Sequence, residues 1–215
     1  MEAIRAFDST VKRARALIKA HVKLRGTGPG KRPRFHSELL RAALVTAVAA
    51  MDAYFHDKIL QNISRTIKRT GPNFPEDLVS LLSENQNKEE VVRAFLKISM
   101  EKRPLSHVNT KAARNLSERT YQDPGKIERG LRIIGVNNFW DATSNALNTT
   151  PRDLKRKILA YVKRQHSIVH AGDLWKAKKH RHKVRAITPE FATDCIDDIE
   201  EFVQTADTVI NSQSP

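Results

Sequence analysis

The 215-residue sequence contains a single cysteine, Cys195. One cysteine excludes an internal disulfide framework, and it excludes metal sites that are built from several thiolates. Cys195 stands between Asp194 and Ile196 in an amphipathic helical pattern. We therefore interpret it as a structural thiol and not as a nucleophile.

Long hydrophobic runs are also lacking. The longest apolar stretch, residues 42–51, is too short to span a bilayer. The N-terminus has no apolar segment followed by a small-residue cleavage site. These absences predict a cytoplasmic protein with no membrane partner.

Alternating strand patterns are absent, and apolar residues recur at three- and four-residue steps. We predict an all-α fold, residues 1–215 forming a single helical domain. Its bundle core covers about residues 36–210, and a helix over 2–25 is joined to it by a basic Gly/Pro loop, 26–35. The pattern over 36–69 is apolar around most of its circumference, which is typical of the central helix of a bundle. Other predicted helices cover 76–85, 89–102, 127–134, a short stretch after 137, 150–172 and 188–210, while 105–119 is ambiguous.

The apolar pattern of the central helix is interrupted by Asp52, His56 and Asp57. Asp52 is the most conspicuous of the three, because it stands among Ala49, Ala50, Met51 and Ala53. Two alternatives remain open for it. It either pairs with a Lys or Arg at the edge of the apolar band, or it faces a functional cleft.

Positive charge is the strongest bulk feature, with 38 Lys and Arg against 24 Asp and Glu and a net charge of +14. An excess of this size is typical of proteins with a polyanionic partner, and RNA is the partner we predict. The most basic loop follows residue 174, and its candidate RNA-binding residues are Lys176, Lys178, Lys179, Arg181, Lys183 and Arg185.

Directly before this loop, the end of a predicted helix carries an Arg and two His between residues 164 and 170. On a wheel of about 100° per residue, Gln165 faces the core, whereas Arg164, Ser167 and His170 are predicted to face outward. Histidine exchanges protons near neutral pH, and arginine binds phosphate. Together they could cleave RNA through attack of the 2′-hydroxyl group without a metal or other cofactor.

Two other interpretations of these residues remain. An Arg and a His near a helix C-terminus are also favourable through the helix dipole alone. His166 and His170, spaced i and i+4, with His180 and His182 nearby, could bind a metal. The zinc signature needs a Glu between the first two His residues, and Ser, Ile and Val stand there, so no metal is predicted.

Residues 164–173, Arg-Gln-His-Ser-Ile-Val-His-Ala-Gly-Asp, resemble the signature of the HEPN superfamily, in which a short spacer separates an Arg from a His. The segments that look like its RiboL-PSP-HEPN branch are 40–57, 121–127, 139–140 and 187–191. The resemblance spans roughly residues 36–210.

The resemblance implies a helical bundle that pairs, so that two copies form one cleft. It also implies metal-independent endoribonucleases in prokaryotic defence or toxin–antitoxin settings, where an antitoxin or defence-system partner is expected. Carried over, His170 would be the catalytic His and Arg164 would stabilise the phosphate. The supporting residues would be Gln165, His166, Ser167 and Asp52.

The sequence departs from the signature at one position. Gln165 occupies the family's most common Arg position, and Arg164 lies one residue earlier, a turn of about 100° on a helix. The first hypothesis is therefore a dimeric endoribonuclease, and the alternative is an RNA-binding or regulatory module without catalysis. A third hypothesis is a helical protein whose basic loop meets an acidic protein partner.

Overall fold

The computed structural model describes residues 2–25, 36–70, 75–82, 104–174 and 183–213. This part of the chain contains eight α-helices, and Leu174 and Val184 form an isolated antiparallel bridge. The helices are α1 (Ala3–Arg25), α2 (His36–Thr70), α3 (Glu76–Leu82), α4 (Pro104–Ser117), α5 (Pro124–Ile133), α6 (Phe139–Ala146), α7 (Pro151–Ala171) and α8 (Pro189–Gln213). The predicted all-α fold is confirmed.

Several helix boundaries differ from the prediction, and one predicted helix lies outside the described residues. The ambiguous stretch 105–119 is helical as far as Ser117, as α4. Pro104 is the first residue of that helix, a position where its missing N–H removes no intrahelical hydrogen bond. The helix predicted over 89–102 lies outside the described residues.

Helix α2 is the centre of the bundle, because α1, α4, α5, α7 and α8 all pack against it. Its Phe55 is fully buried and makes ring contacts with Phe139 of α6 and Phe202 of α8, at centroid distances of 6.1 and 5.9 Å. Trp140 stacks on Phe202 with a centroid distance of 5.6 Å. Phe7 brings α1 into the same core.

By length and composition alone, α2 could cross a membrane, over His36–Arg69. Within the fold, 56% of its most apolar window is buried. The apolar circumference of α2 is therefore used in packing against the surrounding helices.

The two ends of α7 follow from local sequence. The Thr150 side chain accepts a hydrogen bond from the backbone N–H of Asp153 at 3.1 Å, and Pro151 occupies the first turn. At the other end Gly172 adopts a left-handed conformation, φ +56°, and caps the helix. This confirms the predicted start and end, and it sets where the chain turns after the Arg/His segment.

Candidate functional site

The last two turns of α7 present a polar surface at one end of the bundle. His166 and His170 are exposed, and their ring centroids lie 4.5 Å apart. Ser167 is half-buried beside them, and Val169 is 52% exposed. The outward orientation predicted for His170 is confirmed, and His166 lies next to it.

Arg164 does not belong to this surface, so its predicted outward orientation is wrong. Its side chain is only 8% exposed. The Nη2 atom donates to Asp173 Oδ2 at 2.7 Å and to the carbonyl oxygen of Ala186 at 2.9 Å. The Phe191 ring centroid lies 5.9 Å from the Arg164 Cζ. A guanidinium in these contacts is part of the interior.

The error has a geometric cause. On the wheel, Arg164 lies about 100° from the centre of the apolar stripe, whereas Ser167 and His170 lie about 140–160° from it. Arg164 is therefore at the flank of the stripe. The backbone at Arg185 and Ala186 folds back over that flank and covers it.

Gln165 faces inward as predicted and is 8% exposed. Within the described part of the chain, its Oε1 atom is buried without a hydrogen-bond partner. The family's most common Arg position thus points into the bundle in this protein, and Gln165 there carries no charge.

Asp173 is the residue around which the interior contacts of this region converge, and the sequence reasoning missed it. It is fully buried and adopts a left-handed conformation, φ +56°. Its Oδ2 atom accepts a hydrogen bond from Arg164 and a second one, at 3.0 Å, from the Nε of Arg41 in α2. A signal for Arg41 existed in the sequence, since an Arg within an apolar helix needs a buried anion.

Arg41 and Arg164 share the buried Asp173 carboxylate, and Arg41 also pairs with the exposed Glu38 at 3.0 Å. Burial lowers the pKa of the Arg164 guanidinium, the Asp173 carboxylate opposes this shift, and the charges of Arg185 and Arg41 add to it. A guanidinium ordinarily stays protonated far above neutral pH, so Arg164 remains a cation. The end of α7 therefore lies over two buried guanidinium groups that share one buried carboxylate.

The candidate RNA-binding loop is described only at its base. Lys176, Lys178, Lys179 and Arg181 lie outside the described residues. Lys183 is exposed and Arg185 is half-buried. The bridge between Leu174 and Val184, together with the hydrogen bond from Arg185 N–H to the Asp173 carbonyl at 2.8 Å, joins the two ends of the loop.

The contacts of Asp52 match neither of the two environments that the sequence left open for it. Its carboxylate accepts hydrogen bonds from the Tyr121 backbone N–H and, at 3.0 Å, from the Gln122 side chain. The Nε2 of His56 lies 3.8 Å away. Along α2, Asp52 is about 16 Å from Arg41 at 1.5 Å per residue. It therefore anchors the segment before α5 and does not join the residues at the end of α7.

Within the described ranges, no group of three or more His, Cys, Asp or Glu side chains could hold a metal ion. His166 and His170 form a pair, and His180 and His182 lie outside the described residues. The end of α7 therefore presents two exposed imidazoles above the buried cluster of Arg41, Arg164 and Asp173.

The all-α bundle, with an Arg/His segment at the end of its penultimate helix, defines the class of the protein as a HEPN-type helical domain. The family model for RiboL-PSP-HEPN matches residues 8–212, nearly the whole chain. The chain belongs to the RiboL-PSP-HEPN family, which confirms the resemblance and supports a nuclease- or RNA-related module. No curated protein and no solved structure matches it.

Proposed function

We propose that this protein is a metal-independent endoribonuclease of HEPN type that cleaves RNA by attack of the 2′-hydroxyl group on the adjacent phosphate. The observation that carries the proposal is the exposed His166–His170 pair at the end of α7, directly before the base of a basic loop. Family membership adds the RNA-related context.

His170 is the general base that takes the 2′-hydroxyl proton, or the acid that returns a proton to the leaving 5′-oxygen. An imidazole suits both roles because it exchanges protons near neutral pH. A second imidazole, from the partner copy in a composite cleft of a homodimer, would fill the complementary role. His166 and Ser167 support His170 by position, since both lie within one turn of it.

Arg164 acts through its charge and its position. As it lies in the monomer, its Nη2 donors are used by Asp173 and Ala186. Arg41 and Arg164 place two buried guanidinium groups, which share the Asp173 carboxylate, behind the surface of His170. Such a fixed field stabilises the additional negative charge of the pentacoordinate phosphorane.

The loop supplies the contacts to the RNA backbone through its Lys and Arg residues. Contacts of this kind neutralise phosphates and release counterions, so affinity falls steeply with salt concentration. We place the activity in prokaryotic defence or a toxin–antitoxin setting, which the resemblance implies, with an antitoxin or defence-system partner and a cytoplasmic location.

A second candidate function is RNA binding without cleavage. The burial of Arg164 and the uncharged Gln165 in the family's Arg position favour it. Under this alternative the protein binds RNA with the same steep dependence on salt, and the RNA stays intact.

The test incubates the purified protein with total RNA in EDTA and compares it with two variants. His170→Ala should abolish cleavage, whereas Arg152→Ala should leave it unchanged, because Arg152 is an exposed cation at the far end of the same helix. Equal cleavage by His170→Ala would exclude the endoribonuclease proposal. Binding without cleavage by the parent protein would support the second function, and no RNA binding at low salt would favour an acidic protein partner.

A further inference from the structure

The chain turns sharply after α7, and the turn is fixed on both sides of Asp173. Its N–H donates to the Ser167 carbonyl at 2.8 Å, and its carbonyl accepts from the Arg185 N–H at 2.8 Å. A residue other than glycine with φ +56° is uncommon and strained. The strain is accepted here because the surrounding contacts hold both the backbone and the carboxylate.

Two arginines from different helices hold that carboxylate and both ends of the loop together. Arg41 donates through Nε to Asp173 and through Nη2 to the Arg185 carbonyl, at 3.0 and 2.6 Å. Arg164 donates to Asp173 and to the Ala186 carbonyl. Each guanidinium therefore connects residue 173, before the basic loop, with the backbone after it.

These contacts also attach the two ends of the loop to the rest of the bundle. Arg41 lies near the start of α2, where its Nη1 donates to Ser37 and Glu38 at 2.8 and 3.0 Å. Arg164 lies two turns before the end of α7. The base of the loop is consequently attached to the central helix and to the helix that carries His170.

We propose that Asp173 is a positioning residue that, through Arg41 and Arg164, holds the two described ends of the basic loop, at residues 173–174 and 184–186, against the helix that carries His170, and that RNA binding depends on this attachment, the clamp. This proposal rests on RNA being the ligand. It also predicts that one acidic side chain is needed for binding a polyanion, which charge attraction alone would not predict.

The sign of the effect separates the clamp from simple electrostatics. Asp173→Asn removes a buried negative charge from a basic protein, so electrostatics alone predicts tighter RNA binding. The clamp predicts weaker binding, because Arg41 and Arg164 lose their common anion and the base of the loop opens. A carboxylate that merely competes with phosphate for Arg164 predicts tighter binding as well.

The experiment measures binding of single-stranded RNA over a range of salt concentrations in a His170→Ala background, so that the RNA stays intact. Asp173→Asn should weaken binding about tenfold, the order expected when the preorganisation of several side chains is lost. The salt dependence should become shallower, because fewer phosphates are neutralised at once. Asp173→Glu should recover part of the loss.

A control variant and a replacement variant complete the design. Asp141→Asn removes an exposed acidic charge on α6 and should leave binding equal or slightly tighter. If Asp173→Asn does not fold, Arg41→Gln keeps the Asp173–Arg164 pair. Because this variant also removes a positive charge, weaker binding is expected from electrostatics as well, and exchange at the Arg185 amide is its deciding measurement. Hydrogen exchange at the Arg185 amide, which donates to Asp173, should accelerate in either variant.

Binding by Asp173→Asn that equals or exceeds that of its parent, with the protein folded, would overturn the clamp while RNA binding stands. With Arg41→Gln as the only folded variant, unchanged exchange at Arg185 would do the same. A parent protein that binds no RNA at low salt would overturn the proposed function, and the clamp's role with it.

Discussion

Replacing Arg164 by alanine separates a structural arginine from one that contacts the substrate. The change removes the hydrogen bond to Asp173 at 2.7 Å and the one to the Ala186 carbonyl at 2.9 Å. It leaves Asp173 paired with Arg41 alone. Because Arg164 is 8% exposed, solvent compensates little of this loss.

The expected magnitude follows from these contacts. A hydrogen bond to a charged group contributes about 1.5–3 kcal/mol and one between a guanidinium and a carbonyl at least about 1 kcal/mol. The full cost of an abandoned buried charge, about 3–5 kcal/mol, is not reached because Arg41 remains. We expect the free energy of unfolding to fall by roughly 2–4 kcal/mol, and the midpoint of thermal unfolding by about 5–15 °C.

Urea unfolding followed by circular dichroism measures the change. His170→Ala, on the exposed face of the same helix, is the matched control and should stay within about 0.5 kcal/mol of the parent. Arg164→Lys should fall between the two, because an ammonium keeps the charge but loses the planar fork that reaches two acceptors.

Cleavage measured on the same samples completes the comparison. We expect His170→Ala to lose cleavage and keep its stability, whereas Arg164→Ala loses stability together with RNA binding and cleavage. If Arg164→Ala keeps the stability of the parent protein and loses only cleavage, Arg164 contacts the phosphate directly, and the structural role assigned to it is wrong.

Two further predictions concern the core. Burial raises the pKa of the Cys195 thiol, so this thiol ionises at lower pH in the unfolded chain than in the folded one. Above about pH 8.5 this group should therefore lower the free energy of unfolding, by up to about 1.4 kcal/mol per pH unit. Urea titrations between pH 8 and 10 should show a shallower fall for Cys195→Ala, and identical slopes would contradict the assignment. At Gly130, an added Cβ would lie 2.3 Å from Cε1 of Tyr121, so Gly130→Ala should cost about 1–3 kcal/mol. Gly125→Ala, whose Cβ would meet only a side-chain oxygen at 3.2 Å, is the control, and equal stability of both variants would count against close packing at Gly130.

The helices and their ends could be predicted because their causes are local. Thr150 and Pro151 start α7 and Gly172 ends it, through contacts that reach no further than one turn. The exposure of His170 and the burial of Gln165 also follow from the helical period.

Asp52 shows where local reasoning ends. A carboxylate within an apolar helix needs partners, and the sequence offered many cations. Its hydrogen bonds come instead from Tyr121 and Gln122, which lie 69 and 70 residues away along the chain. Which segment crosses α2 at that turn depends on the packing of the whole bundle.

The sequence by itself determined the helical class, the ends of α7, the basic character of the chain and the family signature, because periodicity, capping and composition act over a few residues. Only the tertiary structure decided that Arg164 lies inside, with Asp173 and with Arg41, which is 132 residues from Asp173 in sequence. A helical wheel divides a helix into a core side and a solvent side. It cannot show that the chain returns after the basic loop to cover the flank, and buried charges pair only where such distant segments meet.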